Sequence, residues 1–117
     1  MTTTRPAYDV VVFGATSFVG QILARYLRDE FGTRGKLRWA IAGRSQAKLE
    51  ELRKSLGRKA ASLPILVADA ADEEALREMC RQTRVVASTV GPYALYGEPL
   101  VKVCAETGTD YCDLTGE

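Results

Sequence analysis

A glycine-punctuated turn between an apolar run and a helical pattern is the feature that most constrains this chain. The apolar run covers Val10–Phe13, and the turn Gly14–Gly20 reads GATSFVG. Beyond it, apolar residues recur at the spacing of a helix face: Val19, Ile22, Leu23, Tyr26, Leu27 and Phe31. A buried strand that leads through a tight turn into a helix makes a phosphate site, because free backbone N–H groups and the helix dipole both attract an anion.

Small residues within this turn stand at Gly14, Ser17 and Gly20. The first glycine permits a sharp reversal, and the last lets the helix and the strand pack closely. Ser17 stands where a G-x-x-G-x-x-G variant has its middle glycine, and its hydroxyl adds a donor for a phosphate. Taken alone, the turn also fits an ordinary glycine-rich strand-to-helix connection, so a dinucleotide site depends on the segments that follow.

The remainder of the chain repeats the strand–helix unit. Apolar runs predict strands near residues 8–13, 37–42, 64–68, 84–88 and 110–114. Between them, helices are predicted at 18–31, after an N-cap at Ser45, after an N-cap at Asp72, and at 98–106 with Pro99 in the first turn. This alternation predicts an α/β fold of the Rossmann type, a doubly wound parallel sheet of about five strands in the order 3-2-1-4-5 with helices on both faces.

The segment Gly43-Arg44-Ser45 indicates which dinucleotide would bind. An NAD site usually carries Asp or Glu near the end of the second strand, where it holds the ribose 2′-hydroxyl. No acidic residue lies between Leu37 and Ala47. Arg44 can instead form charge-assisted hydrogen bonds with a 2′-phosphate, and Ser45 can add a hydroxyl. We therefore expect NADP(H) rather than NAD(H), the alternative being a surface arginine beside a helix start.

Two further segments should meet a dinucleotide at the same edge of the sheet, beyond the carboxyl ends of the strands. Asp69 follows the third strand, where its carboxylate could accept a hydrogen bond from an adenine amino group or cap the next helix. The loop Thr89-Val90-Gly91-Pro92 follows the fourth strand and would lie near the nicotinamide half, where Gly91 allows a close backbone approach. The same loop could instead be a connection that Pro92 stiffens.

Composition narrows the possible functions. A formal net charge of +1 gives no electrostatic footprint for nucleic acid. No apolar run approaches the ~18 residues that span a bilayer, and the first residues lack the apolar core of a signal peptide. Three cysteines without metal-ligand spacing, and the absence of histidine, indicate no metal site and favour a reducing, cytoplasmic setting. We expect Cys112 to be a small buried hydrophobe rather than a nucleophile.

Four stretches, in this order, resemble a known family. They read VVFGATSFVG, WAIAGRSQAKLEELR, PILVADA and VVASTVGPYALYGEPLVKVCAETGTDYCDLTGE, and together they span nearly the whole chain. The chain resembles the NADP-binding domain of saccharopine-dehydrogenase-like oxidoreductases, and most of all that of the trans-acting enoyl reductases. The sequence AGRS followed by TVGPY and DLTGE is the most specific part of the likeness. Ser17 departs from the glycine more usual in that family.

The resemblance implies a role as well as a fold. Cofactor contacts would come from Gly14, Thr16, Ser17, Phe18, Val19, Arg44 and the loop Val90–Pro92. The whole protein would be an NADP-dependent oxidoreductase that transfers hydride from NADPH to a C=C or C=N bond of a small-molecule substrate. In such proteins a substrate domain follows the DLTGE motif. We therefore expect residues 1–117 to be the NADP-binding domain of a longer chain, inactive by itself, with an exposed edge strand that favours a homodimer.

Two other functions fit parts of the pattern. A non-enzymatic NADP sensor that regulates a partner would carry the same cofactor site. An extended short-chain dehydrogenase or epimerase would need a Tyr-x-x-x-Lys couple, and none of the 5 tyrosines has a lysine four residues later. The sequence names no catalytic residue, and it is the family likeness that makes the enoyl reductase-like function the best supported of the three.

Overall fold

The computed structural model describes residues 6–89 and 93–113, and for residues 93–98 the backbone alone. Strands and helices alternate along this part of the chain. The strands are β1 (Tyr8–Phe13), β2 (Trp39–Gly43), β3 (Ile65–Val67), β4 (Thr83–Ser88) and β5 (Asp110–Asp113). The helices are α1 (Phe18–Phe31), α2 (Gln46–Ser55), α3 (Glu73–Arg81) and α4 (Tyr93–Thr107), with a single 3-10 turn at Arg58–Ala60.

The strands form one parallel sheet in the order β3-β2-β1-β4-β5. Val11 of β1 lies opposite Ala40 of β2 on one side and opposite Val86 of β4 on the other. From β1 the chain adds strands toward one edge of the sheet, as β2 and β3, and then toward the other edge, as β4 and β5. The boundary between β1 and β4 is therefore the topological switch point. The predicted Rossmann-type topology is therefore confirmed.

Two apolar cores cover the two faces of the sheet, because successive side chains of a strand point to opposite faces. Phe13 of β1 belongs to the core formed with α3 and α4, which includes Leu76. Val12 belongs to the core formed with α1 and α2, which includes Leu27 and Leu49. The helices thus pack in pairs on opposite sides, and the strand ends at the switch point stay open.

The inner face of α1 differs from the apolar pattern that predicted this helix. Its buried residues are Gly20, Ala24 and Leu27. Phe18, Ile22 and Tyr26 lie instead on the outside, with exposed fractions of 81%, 50% and 55%. Small residues face the sheet because the helix runs close to it, and the large apolar ones are left as a stripe, here called the α1 stripe.

The prediction for the last helix was wrong at its start. Helix α4 begins at Tyr93 rather than near Glu98, so Pro99 lies inside the helix instead of in its first turn. A proline inside a helix costs about 3 kcal/mol because it removes a backbone hydrogen bond and crowds the preceding turn. The fully buried Leu100 and Val103 follow it directly and anchor this part of the helix to the core.

The expectation that Cys112 is buried was also wrong. Cys112 is exposed, because β5 is an edge strand and three of its four residues face solvent. Elsewhere the ends of the strands differ from their predicted positions by one or two residues. The predicted N-caps Ser45 and Asp72 are confirmed.

Two glycines fix the path from β1 into α1. Gly14 has a φ of 80°, in the left-handed region where a Cβ is strained. A Cβ on Gly20 would lie 2.7 Å from Cα of Ala15 and closer still to the carbonyl oxygen of Gly14. The helix therefore touches the backbone of the turn directly, with no room for a side chain between them.

Replacing Gly20 with alanine should destabilise the fold by about 1–3 kcal/mol, because the added methyl overpacks rigid backbone. The sign is informative, since alanine in place of a helical glycine otherwise stabilises by about 0.5–1 kcal/mol. Chemical denaturation of the two proteins measures the difference. Gly43→Ala is the matched control, because its Cβ would meet the Leu49 side chain at ordinary distances of 3.6 Å or more. Equal stability of Gly20→Ala and the unaltered chain would contradict the direct contact.

Candidate functional site

A cleft of about 330 Å³ opens at the carboxyl edge of the sheet. It is formed by the segments that follow β1, β2, β3 and β4, as expected for an open parallel sheet. Residues predicted from the sequence line it, namely Gly14, Thr16, Ser17, Gly43, Arg44 and Asp69. The structure thus brings together segments that lie far apart in the chain.

The turn after β1 leads into a helix start whose first N–H groups have no backbone acceptor among the described residues. Gly14 and Ala15 donate their backbone N–H groups to the Ala42 carbonyl, at 2.9 and 3.1 Å. Ser17 caps α1, and its Oγ accepts from the N–H of Gly20 at 3.0 Å. The N–H groups of Phe18 and Val19 lie in the first turn, where an α-helix supplies no acceptor. These two donors and the helix dipole suit a phosphate.

The side chains of Phe18 and Val19 take no part in the cleft. Both are exposed, Phe18 to 81% and Val19 to 38%. Their predicted role in cofactor contact is therefore one of backbone rather than side chain. It stays a prediction.

The Ser17 hydroxyl is already engaged within the chain. Its Oγ lies 3.1 Å from Oγ1 of Thr89, the first residue beyond β4. Thr89 Oγ1 in turn lies 2.7 Å from the Gly14 carbonyl oxygen and 3.0 Å from that of Phe13. Sequence reasoning placed Thr89 only in a loop near the cofactor and gave it no role. No local signal marks it, since its partners lie more than 70 positions away in the chain.

The segment that leads into α2 lines the cleft through Gly43 and Arg44, whereas the predicted site residue Ser45 lies just outside the lining. Ser45 caps this helix by accepting from the N–H of Lys48 at 3.2 Å. Arg44 is exposed at the rim and forms no salt bridge within the described part of the chain. The Ser45 oxygen accepts the capping hydrogen bond, and its hydroxyl proton stays available for an acceptor beside Arg44.

Acidic residues are distributed unevenly over the helix starts. The first turns of α1 and α2 carry no acid, whereas α3 carries Glu73 and Glu74 there and is capped by Asp72. Acids in a first turn normally stabilise a helix. Their absence from the two helices whose N-termini border the turn and Arg44 leaves the positive helix ends free for an anionic ligand.

Asp69 does not cap α3, a role that Asp72 takes. One Asp69 oxygen, Oδ1, accepts from the N–H of Ala71 at 2.9 Å and shapes the turn after β3. Its carboxylate is exposed and lines the cleft on the side of α3. A neutral base that carries an amino group suits this acidic side of the cleft better than a phosphate does.

The residues Val90, Gly91 and Pro92 lie outside the described residues, as does Glu117. The predicted contact of this loop with the nicotinamide half stays a prediction. The last described residue before the loop is Thr89, which lies in the cleft wall. The loop therefore starts from the same edge of the sheet as the turn after β1.

A larger groove, of about 920 Å³, lies beyond the far ends of α1 and α2. Arg28, Arg34, Arg58 and Lys59 line it. It lies at helix C-termini, where the dipole is negative and basic side chains are the usual complement. An anionic ligand is therefore better suited to the smaller cleft, where helix N-termini lie near the switch point.

The buried cysteines are structural. Cys80 of α3 and Cys104 of α4 face each other with Sγ atoms 3.6 Å apart. Their hydrogen bond and burial raise the pKa of the Cys104 thiol well above its usual range. The described residues hold no group of His, Cys, Asp and Glu suited to a metal ion.

Comparison with known proteins fits this geometry. The saccharopine dehydrogenase NADP binding domain matches residues 10–117. The chain belongs to this family. The prediction of NADP(H) as the cofactor is therefore confirmed at the level of the family. The residues present fit the group, since the acid-free start of α1 and Arg44, which forms no salt bridge among the described residues, border one cleft.

Longer mycobacterial proteins are among the relatives of this chain. One from Mycobacterium tuberculosis is 48% identical over 117 residues, which are 100% of this chain and 27% of that protein. The trans-acting enoyl reductase of Mycobacterium leprae is 47% identical over 110 residues, which are 94% of this chain and 26% of that enzyme. The chain thus spans about a quarter of the length of these relatives, whose names support an oxidoreductase.

Solved structures agree on the fold. Apo saccharopine dehydrogenase (L-Glu forming) from Saccharomyces cerevisiae superposes with a TM-score of 0.70 at 24% identity, over 91% of this chain and 21% of that one. AtPrR2 with NADP+ and (+)pinoresinol superposes with a TM-score of 0.65 at 17% identity, over 92% of this chain and 36% of that one. Among the described residues, no helix is long and apolar enough to cross a membrane.

Proposed function

We propose that this chain is the cofactor-binding domain of an enoyl reductase-like enzyme and that it binds NADPH in the 330 Å³ cleft. The observation that carries the proposal is the meeting of two acid-free helix N-termini with Arg44 at the topological switch point. The free N–H groups of Phe18 and Val19 would hold the pyrophosphate. Arg44 and the Ser45 hydroxyl would hold the 2′-phosphate, and Asp69 would accept from the adenine amino group.

Arg44 sets the preference for NADPH over NADH in this proposal. Arg44→Ala should weaken NADPH binding about tenfold or more, since a hydrogen bond to a charged group contributes about 1.5–3 kcal/mol. NADH binding should stay unchanged, because that cofactor lacks the 2′-phosphate. Calorimetric titration of both variants with both cofactors measures this.

Arg58→Ala is the matched control, because it removes the same charge at the far groove. If Arg58→Ala weakens NADPH binding as much as Arg44→Ala does, the effect is one of total charge and the assignment of Arg44 fails. If the unaltered chain prefers NADH, the role of the whole Gly43–Ser45 segment fails.

The reaction itself is the further part of the proposal. NADPH, when bound, supplies a hydride for one carbon of a C=C or C=N bond. The described residues of this chain orient the cofactor, and no side chain among them has been assigned a proton-transfer role. A small-molecule substrate would have to be held by the remainder of an enzyme as long as the mycobacterial relatives, and this chain alone should bind without turnover.

A chimera tests this reductase function. Residues of this chain would replace the matching 110 residues of the Mycobacterium leprae trans-acting enoyl reductase, at 47% identity. We expect NADPH oxidation that depends on an enoyl thioester, and a raised KM for NADPH when the chimera carries Arg44→Ala. Chimeras that bind NADPH but never oxidise it, while the parent enzyme does, would favour the NADP-sensor alternative.

We also propose that the isolated chain forms a homodimer in a cytoplasmic setting. The exposed edge strand β5 can add a second strand, and the α1 stripe is apolar surface that a neighbour could cover. The cytoplasmic location rests on an odd number of cysteines without metal spacing. Sedimentation that stays monomeric as concentration rises would contradict the homodimer.

A further inference from the structure

Thr89 connects the end of β4 to the turn that follows β1. It is buried, with 5% of its surface exposed, and lies in the wall of the cleft. Its backbone N–H donates to the Phe13 carbonyl at 2.9 Å, which extends the pairing of β1 and β4 by one residue. Its hydroxyl reaches further, to the Gly14 carbonyl and to the Ser17 hydroxyl.

The direction of these hydrogen bonds follows from the count of protons. A threonine hydroxyl has one proton, and the Gly14 carbonyl at 2.7 Å is its nearest acceptor. Thr89 Oγ1 must then accept from the Ser17 hydroxyl, 3.1 Å away. Ser17 Oγ meanwhile accepts from the Gly20 N–H. The result is a directed series of hydrogen bonds that runs from the N-terminus of α1, through Ser17 and Thr89, to the turn after β1.

This series of hydrogen bonds would hold the Gly14 carbonyl away from a phosphate bound at the start of α1. That oxygen accepts from two donors, the Thr89 hydroxyl and the Ser17 N–H at 3.0 Å. Gly14 is also at a φ of 80°, so its peptide groups are the ones most able to reorient. A carbonyl turned toward the cleft would repel a phosphate that the N–H groups of the first helical turn attract.

We propose that Thr89 is a positioning residue for the pyrophosphate. Its hydroxyl acts through Gly14 and Ser17 and keeps the turn in the conformation that exposes N–H donors. It thereby ties the phosphate-binding turn to β4, the strand that leads into the segment at 90–92. This inference rests on the proposed cofactor site and gives a role to Thr89, the first residue of the TVGPY stretch, to which the family likeness assigned no cofactor contact.

The test compares two ligands on matched variants. Thr89→Val replaces the hydroxyl with a methyl of similar size, and Thr89→Ser keeps the hydroxyl. Thr83→Val is the control, because Thr83 is also buried, at 3%, and its hydroxyl bonds a backbone carbonyl at 3.0 Å, that of Val85, outside the cleft lining. NADPH probes the whole site, and 2′-AMP probes the Arg44 side without a pyrophosphate.

We expect Thr89→Val to weaken NADPH binding about tenfold, as for loss of a buried hydrogen bond and release of its partner. Binding of 2′-AMP should change by less than about twofold, because the Arg44 side is untouched. Thr89→Ser and Thr83→Val should bind both ligands as the unaltered chain does. This split between ligands is one that a merely structural role of Thr89 would not produce.

Several outcomes would overturn the inference. Unchanged NADPH binding by Thr89→Val does so directly, and equal weakening of both ligands shows a general loss of structure instead. If Thr89→Val does not fold, Ser17→Ala breaks the same pair from the helix side and must show the same split. If the unaltered chain binds 2′-AMP but not NADPH, the inference fails while the 2′-phosphate site stands, and if it binds neither, the proposed function fails too.

Discussion

The direct contact of α1 with the turn after β1 is the constraint on which the site depends. Without a side chain at Gly20, the helix start rests on the backbone of Gly14 and Ala15. The N-terminus of α1 therefore lies at the carboxyl end of β1, the central strand. Ser17 caps that start and Thr89 fixes the turn from the neighbouring strand. The contacts that pack α1 against the turn are therefore the same contacts that would shape the phosphate site.

The distribution of charged residues then determines which ligands the cleft would favour. The net charge of the chain is only +1, so no long-range field draws an anion to it. Attraction for an anion would have to come from the local arrangement, in which the first turns of α1 and α2 lack acids and Arg44 has no salt bridge among the described residues. The acids that would compensate lie at α3, beside the part of the cleft suited to a neutral base.

The topology could be predicted because it depends on alternation alone. Strand-like and helix-like segments follow each other in regular succession, and handedness rules leave few arrangements of such units. The N-caps Ser45 and Asp72 were readable for a similar reason, since a cap and the N–H groups that it satisfies lie within one turn. Most of the lining of the cleft followed from the same rule about strand ends.

What could not be predicted depends on contacts between distant segments. The exposed α1 stripe follows from how close the helix runs to the sheet, which a periodic pattern does not report. Pro99 lies inside α4 rather than in its first turn, and the buried Leu100 and Val103 beyond it hold that part of the helix against the core. Cys112 is exposed because no strand pairs beyond β5 in the described residues. Thr89 acquires its partners only when β4 pairs with β1.

The most direct measurement is an amide NMR titration of this chain with NADPH. If the pyrophosphate binds at the first turn of α1, the amide signals of Phe18, Val19 and Arg44 should shift together and reach a plateau as NADPH is added. Amides that line the larger groove, such as Arg34 and Arg58, should not move. Shifts confined to that groove, or absent from the turn after β1, would contradict a cofactor site at the topological switch point.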